Sequence, residues 1–356
     1  MAGLTFQQAG ELLKVTIEDT GGPQGQEVFV NKFIPNFKMF ANLDRTLYFP
    51  YFFGWMGETR ELSASPILHH ISELTSTGKW GLVTNNASLE ILGERMGEDN
   101  VLQVRLWSGD MHGPTGSTVE LFFEWVSWGH EGPLERIAFA RMKTTWVEIL
   151  GHGLVRPREF PLFYFDFMKK MSPRYPAPDS LSVLPEPFRN LELGAVLFKT
   201  RNAPRPQTFL ADKYFETSLY DANLVGNLYF SNYSMWLAKL REAYFFSLAP
   251  DLFRGIGDAG TLKCLSCNIE HLREGMPFDT IYVTMYLKAL YRTGMDLYFE
   301  FFKLEPDGHK TKLAFGEHRA VWMQRNNSGR STPAPLPEPF TAALLQATTA
   351  SALVEA

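Results

Sequence analysis

The 356-residue sequence is poor in cysteine, holding only Cys264 and Cys267. They form one C-x-x-C with no second pair and no histidine pair at finger spacing, which excludes a four-cysteine or finger-type zinc site. Both fall in LKCLSCNIEHL, which reads as strand. Residues three apart on a strand point to opposite faces, so buried, reduced, unpaired thiols are expected, as in a cytoplasm. No run approaches the ~20 apolar residues that cross a bilayer. The start, MAGLTFQQAGELLK, lacks the basic and apolar regions of a signal peptide. Basic residues are not in excess either: 34 Lys and Arg against 39 Asp and Glu give a net charge of −5. That argues against nucleic acid partners, and with no apolar span no membrane partner is expected. A Walker loop, a G-x-S-x-G elbow and a metal-ligand cluster are all missing, so no cofactor and no metal are expected.

What is abundant is aromatic. Phe, Tyr and Trp make up 14% of the chain, within a hydrophobic fraction of 45%. Rings suit half-buried pleated surface, and they also suit a greasy pocket; composition alone does not choose. The arrangement of these residues says more. ANLDRTLYFPYFFGWMGETRE (41–61) overlays ANLVGNLYFSNYSMWLAKLRE (222–242) without a gap, with nine of 21 positions identical, where ordinary usage gives about one or two. Glu90 and Met96 then match Glu270 and Met276, and Ala138, Phe139 and Trp146 match Ala314, Phe315 and Trp322. Each half also contains LPEPF, at 184–188 and 336–340. The chain reads as a tandem duplication.

Five segments follow: an extension over 1–26 holding a strand in LLKVTIED, a first domain over 27–150, a Pro-rich linker over 151–206, a second domain over 207–325, and a flexible tail over 326–356 with a short helix in TAALLQA. In the second copy an extended stretch, QTFLADKYFETSLYD, precedes a helix over 232–248. There Tyr233, Trp236, Leu237, Leu240 and Tyr244 recur at three- and four-residue spacing, and Pro250 ends it. Four segments of strand character follow, TLKCLSCNIEHL, DTIYVTMYLKAL, GMDLYFEFFKLE and TKLAFGEHRAVWM, with a hairpin turn at EPDG. One long helix against a curled antiparallel sheet is an α+β unit of the hotdog kind. The fold expected is two tandem hotdog domains.

YDANLVGNLYFSNYSMWLAKLREAYF, with CNIEHLREGMPFDTIYV, resembles the 4-hydroxybenzoyl-coenzyme A thioesterase family. The resemblance is nearest to the hotdog thioesterases of enediyne polyketide pathways, which carry a similar N-L-V-G-N-x-Y-F stretch and a helix ending R-E. It spans most of 207–325. It implies an acyl thioesterase acting on a chain held by an acyl carrier protein or coenzyme A. It also implies two units paired side by side, here a pseudo-dimer within one chain, with a further homodimer open. Many relatives have an Asp three residues before the glycine; here Asn223 stands there, and Asn42 in the first copy. A neutral Asn takes no proton, so Asn223 and Arg241 carry over as positioning and electrostatic groups.

Backbone N–H groups around Gly226 are the expected oxyanion donors. Tyr229 is a channel-lining or donor residue, and Glu270 and Glu242 are candidate carboxylate bases. Asn42, Tyr48 and Arg60 form a possible second site, although Arg45 replaces the glycine there. Against these roles stand bland ones: a turn residue for Asn223, an ion pair or solvated surface charge for Arg241, core for Tyr229. Arg201, Arg205, Lys239 and Arg273 are candidates for a carrier-protein landing patch. Two other readings remain open, a transferase, dehydratase or other tailoring enzyme on a tethered chain, and a non-catalytic acyl-binding module.

Overall fold

The computed structural model describes residues 16–19, 27–94, 101–112, 116–129, 132–151, 154–171, 184–200, 208–254, 260–325 and 331–354. The prolines at 173, 176 and 178 of the expected linker therefore lie outside the described residues. The chain divides into two compact units. Unit 1 is Met1–Phe40 with Tyr51–Arg189, and unit 2 is Ala41–Pro50 with Asn190–Ala356. The first repeated turn, 41–50, thus belongs with the second copy.

Unit 1 contains β1 (Thr16–Asp19), β2 (Glu27–Phe33), α1 (Pro50–Ser63, entered from unit 2), α2 (Leu68–Thr75), β3 (Trp80–Ile91), β4 (Val101–His112), β5 (Thr118–Gly129), β6 (Gly132–Gly151), β7 (Leu154–Pro157) and α3 (Leu162–Lys170). Its strands are antiparallel in the order β1-β2-β4-β5-β6-β3, with β7 beside the end of β6. Pro50 suits the first position of α1, where the amide hydrogen has no helical partner. Phe52, Trp55, Met56, Thr59 and Ser63 then recur as one buried face. Phe52 meets Trp125 edge-on at 5.3 Å, and Trp55 meets Phe33 at 4.7 Å.

Unit 2 contains β8 (Val196–Lys199), β9 (Thr208–Glu216), α4 (Ser231–Leu248), β10 (Thr261–His271), β11 (Thr280–Tyr291), β12 (Gly294–Leu304), β13 (Lys310–Arg325), β14 (Ser331–Pro333) and α5 (Glu338–Val354). The order is β10-β13-β12-β11, again antiparallel, with β8 and β9 both on β11 and β14 on β13. The expected helix and four strands are present within a residue or two. At EPDG, the Gly308 N–H donates to the Glu305 carbonyl at 2.9 Å with φ of 84°. On α4, Tyr233, Trp236, Leu237 and Leu240 are buried as expected. Phe245 rather than Tyr244 completes the face. Tyr233 meets Phe301 at 5.2 Å and Trp236 meets Phe215 at 6.2 Å. These contacts repeat those of Phe52 and Trp55; truncating such a ring costs about 3–5 kcal/mol.

The repetition reaches further than sequence identity. Register slips between Thr84 and Asn86 where β3 meets β6, and between Cys264 and Ser266 where β10 meets β13. The same bulge stands in both copies. Its extra residue, Leu265, changes the alternation that would set the two cysteines on opposite faces. Both thiols are buried and free, and both feel the charge of Arg241. Beyond each sheet the likeness continues: β7 pairs Pro157 with Val147, and β14 pairs Pro333 with Met323. Arg158 N–H donates to the Trp146 carbonyl at 2.9 Å, and Ala334 N–H to that of Trp322 at 3.0 Å. Tyr164 of α3 then packs at 6.3 Å from Trp146, as Phe340 of α5 does at 5.6 Å from Trp322.

The tail expected over 326–356 therefore holds a strand and a 17-residue helix, because Leu336, Phe340 and Leu344 are buried in the core of unit 2. Part of the expected linker, likewise, is β7, α3 and β8. The shared LPEPF is not a structural equivalence. Residues 336–340 correspond to FPLFY at 160–164, not to 184–188.

Candidate active site

The segment ahead of α4 is a compact turn built by short side chains. Asn223 Oδ1 accepts the Val225 N–H at 3.0 Å, an Asx turn. The Asn223 N–H donates to the Asn227 carbonyl at 3.0 Å, and the Gly226 N–H to the Asn223 carbonyl at 3.0 Å. Gly226 has φ of 84°, in the left-handed region. The hydrogen expected to hold an oxyanion therefore closes the turn instead, and the Val225 N–H is bound to Asn223. The described bonds of the Asn223 side chain use its oxygen; its Nδ2 points no donor at a described protein group. Tyr229 is half-buried, its ring 5.0 Å from that of Phe230. Lys239 and Arg273 are exposed, while Arg201 and Arg205 lie outside the described residues.

The first-copy turn has the same backbone with different chemistry. Arg45 N–H donates to the Asn42 carbonyl at 2.8 Å, and φ is 61°. A side chain in this region costs roughly 1–3 kcal/mol. The Arg45 side chain is exposed. Asn42 turns its Nδ2 inward, donating to Thr46 Oγ1 at 3.0 Å and to the Leu47 carbonyl at 2.7 Å. Asp44 is buried in an ion pair with Lys263, 2.6 Å from its Nζ.

Arg241 lies in the row Tyr233, Leu237, Arg241, Phe245 of α4 and is only 2% exposed. Its Nη1 donates to His318 Nε2 at 3.1 Å, so the neutral ring carries its hydrogen on Nδ1. Nη2 reaches Glu242 Oε1 at 3.3 Å, and Phe49 stacks below the guanidinium at 5.2 Å. Tyr48 donates to the same Glu242 oxygen at 2.6 Å. Burial, and then the Arg241 charge, hold His318 well below the usual imidazole range. Burial pushes Cys264 up to about 12, with Arg241 pulling the other way. Arg241 Nε has no hydrogen-bond partner among the described residues. Arg60, its counterpart, reaches Thr84 Oγ1 at 3.3 Å and Met142 Sδ at 3.6 Å.

No described contact joins Asn223, Tyr229 and Arg241. Glu270 is half-buried on β10 opposite Phe315 of β13. A carboxylate that does bond to the Asn223 turn is Glu274, which sequence reasoning passed over. Its Oε2 accepts from Asn227 Nδ2, and the Leu228 N–H donates to the Gly275 carbonyl at 2.9 Å. A β-carbon on Gly275 would lie 2.7 Å from Leu228 Cδ1; the glycine is the one signal that this loop closes on the turn. Burial raises Glu274 above the usual carboxylate range, opposed by the Asn227 bond. Among the described residues no cluster of three His, Cys, Asp or Glu could hold a metal, and no helix is long and apolar enough to cross a membrane.

Residues 217–344 match the family model described as Thioesterase-like superfamily. Among solved structures, the 12:0-ACP thioesterase from Umbellularia californica is similar over 86% of this chain and 98% of its own, with 11% identity and a TM-score of 0.56. A Lactobacillus plantarum structure described as an oleoyl thioesterase is similar over 86% and 99%, with 9% identity and a TM-score of 0.53. The dynemicin thioesterase is 28% identical over 39% of this chain and 96% of its own, with a TM-score of 0.36. No curated protein matches the chain. The fold is thus that of hotdog thioesterases, antiparallel sheet with few helices.

Proposed function

We propose that this chain is a thioester hydrolase built from two tandem hotdog units, acting on an acyl chain carried by coenzyme A or an acyl carrier protein. The observation that carries this reading is the thioesterase-like match over 217–344, which takes in the Asn223 turn, α4 and the strands after it. The N-L-V-G-N-L-Y-F stretch favours a polyketide chain. The shared bulges and repeated strand–helix ends support the duplication.

Hydrolysis needs a polarised carbonyl, a directed water and somewhere for a proton to go. With its oxygen held by Val225, Asn223 offers Nδ2 to the thioester carbonyl; a donor so placed contributes about 2.7–4 kcal/mol to the transition state. Arg241 holds positive charge in a site of low polarity and keeps Glu242 and Tyr48 in register, so its role is electrostatic positioning. Asn42, by contrast, has spent its Nδ2 inside its own turn, so the second copy carries the chemistry.

The test is release of thiol and free acid from acyl-pantetheine thioesters by the purified protein. Asn223→Ala is expected to lower kcat about a hundredfold, the loss of one such donor. Absence of release by the wild type overturns the reading, and undiminished turnover by N223A overturns the role of Asn223.

A further inference from the structure

Asn223 is a poor base, and the two carboxylates singled out by sequence make no described contact with its turn. Glu242 is tied to Tyr48 and Arg241, and Glu270 bonds to no described group of the turn. The loop over 272–279 brings a third. It is fastened to the turn at two points, the Leu228 N–H on the Gly275 carbonyl and the Asn227 amide on Glu274 Oε2. It is closed on itself by Asp279 Oδ2, which accepts the Met276 N–H at 2.8 Å. Asn227 is buried, so it has little freedom to release the carboxylate. With Oε2 held, Glu274 Oε1 has no described partner, and the residue is half-buried rather than sealed in the core.

We propose, on the thioester-hydrolase reading above, that Glu274 is the general base of the site, oriented by Asn227 and acting on the water that attacks a thioester held at the Asn223 turn. The water oxygen bonds to the carbonyl carbon while one of its protons passes to Oε1. Collapse of the tetrahedral intermediate breaks the C–S bond, and the departing thiolate takes that proton as the acid is released. Nothing beyond water is consumed.

The surroundings suit a carboxylate that must give up and regain a proton. Burial raises its ionisation above the usual range, toward the operating pH at which bases work best. The groups packed around it do not offset this. Tyr233 of α4 is buried, its hydroxyl pushed up by burial and by the charges of Glu274 and Asp279. His271 at the end of β10 lies edge-on to Tyr233 at 4.6 Å, and burial holds it down to about 4, so it is neutral. Asp279 is engaged by Lys303 at 3.1 Å, and Arg273 is exposed.

The deciding experiment is the pH–rate profile of full-length wild type and Glu274→Gln on acyl-pantetheine thioesters. Gln keeps an acceptor for Asn227, so the thermal midpoint should stay near that of the wild type. Wild-type kcat should fall tenfold per pH unit below the Glu274 ionisation. E274Q should lose about 10²–10⁴-fold in kcat with KM little changed, lack that acid limb, and regain turnover with hydroxylamine, appearing as hydroxamate. Glu274→Asp should keep the limb at reduced rate. An active wild type with E274Q within threefold, or with the same acid limb, overturns this assignment alone. A wild type that releases no thiol overturns the hydrolase reading and this one with it.

Discussion

Arg60 and Arg241 stand at one point of two repeated helices, and Met142 and His318 face them from one point of two repeated strands. In the second copy a neutral imidazole accepts from the guanidinium at 3.1 Å, whereas in the first a thioether sulfur sits at 3.6 Å. Thr84 likewise stands where the second copy has Cys264. The turns differ in the same manner: Arg45 and Gly226 share a left-handed backbone, yet only one is a glycine. Asp44 and Lys263 form a buried pair where the repeat has Val225 and Val83. Backbone course, bulge and register are common to both copies, while polar side chains have been reassigned one by one. Strand pairing tolerates such exchange because its hydrogen bonds belong to the main chain.

The comparison breaks most visibly at the ion pair. Lys263→Ala or Asp44→Ala should each cost about 3–5 kcal/mol, because one buried charge is left alone. Asp44→Val with Lys263→Val, copying the repeat, should recover most of that loss in denaturant unfolding. A double variant as unstable as either single one would show that the copies are not interchangeable here. Next, Arg241→Ala should lower kcat about a hundredfold, while Arg60→Ala should change it less than threefold. Equal losses would make the first copy an active partner.

His318 sharpens the contrast through pH. Its ionisation in the fold is lowered, so the unfolded chain binds the extra proton below about pH 6.5 and stability falls as pH drops through that range. One such group contributes at most ~1.4 kcal/mol per pH unit. His318→Met, again copying the repeat, should reduce the loss between about pH 6 and 4, leaving the share due to His271; an unchanged slope in thermal melts would place the proton uptake elsewhere. The smallest effect is at the turn. Arg45→Gly should stabilise by about 1 kcal/mol and Gly226→Ala should destabilise by a similar amount. Opposite signs would show that the shared φ is not the controlling strain.

Much of the fold was legible where periodicity is strong. The spacing of Tyr233, Trp236, Leu237 and Leu240 marks α4, and EPDG marks the hairpin between β12 and β13. The burial of Arg241 was not anticipated, although four-residue steps from Tyr233 and Leu237 lead to it. The bulge at Leu265 was not legible either, for no residue type announces a slipped register. Nor were α3 and α5 recognisable as a pair: Tyr164 and Phe340 share a role in packing on tryptophan but few neighbouring letters. Identical letters at LPEPF pointed the wrong way. Glu274 escaped notice because its meaning comes from Asn227, distant in sequence and adjacent only through the loop.

The decapeptide 41–50 has a consequence for how the molecule is made. Tyr48 and Glu242 are separated by 194 positions, so at ~5–20 residues per second the ribosome takes roughly 10–40 s to deliver the partner. During that interval Asp44, Phe49 and Tyr48 have emerged before Lys263, Arg241 and Glu242 exist. A fragment beginning at Asn190, conversely, would present Lys263 and Arg241 without the aspartate and ring that cover them. The second copy therefore completes its core with residues translated 194 positions before their partner.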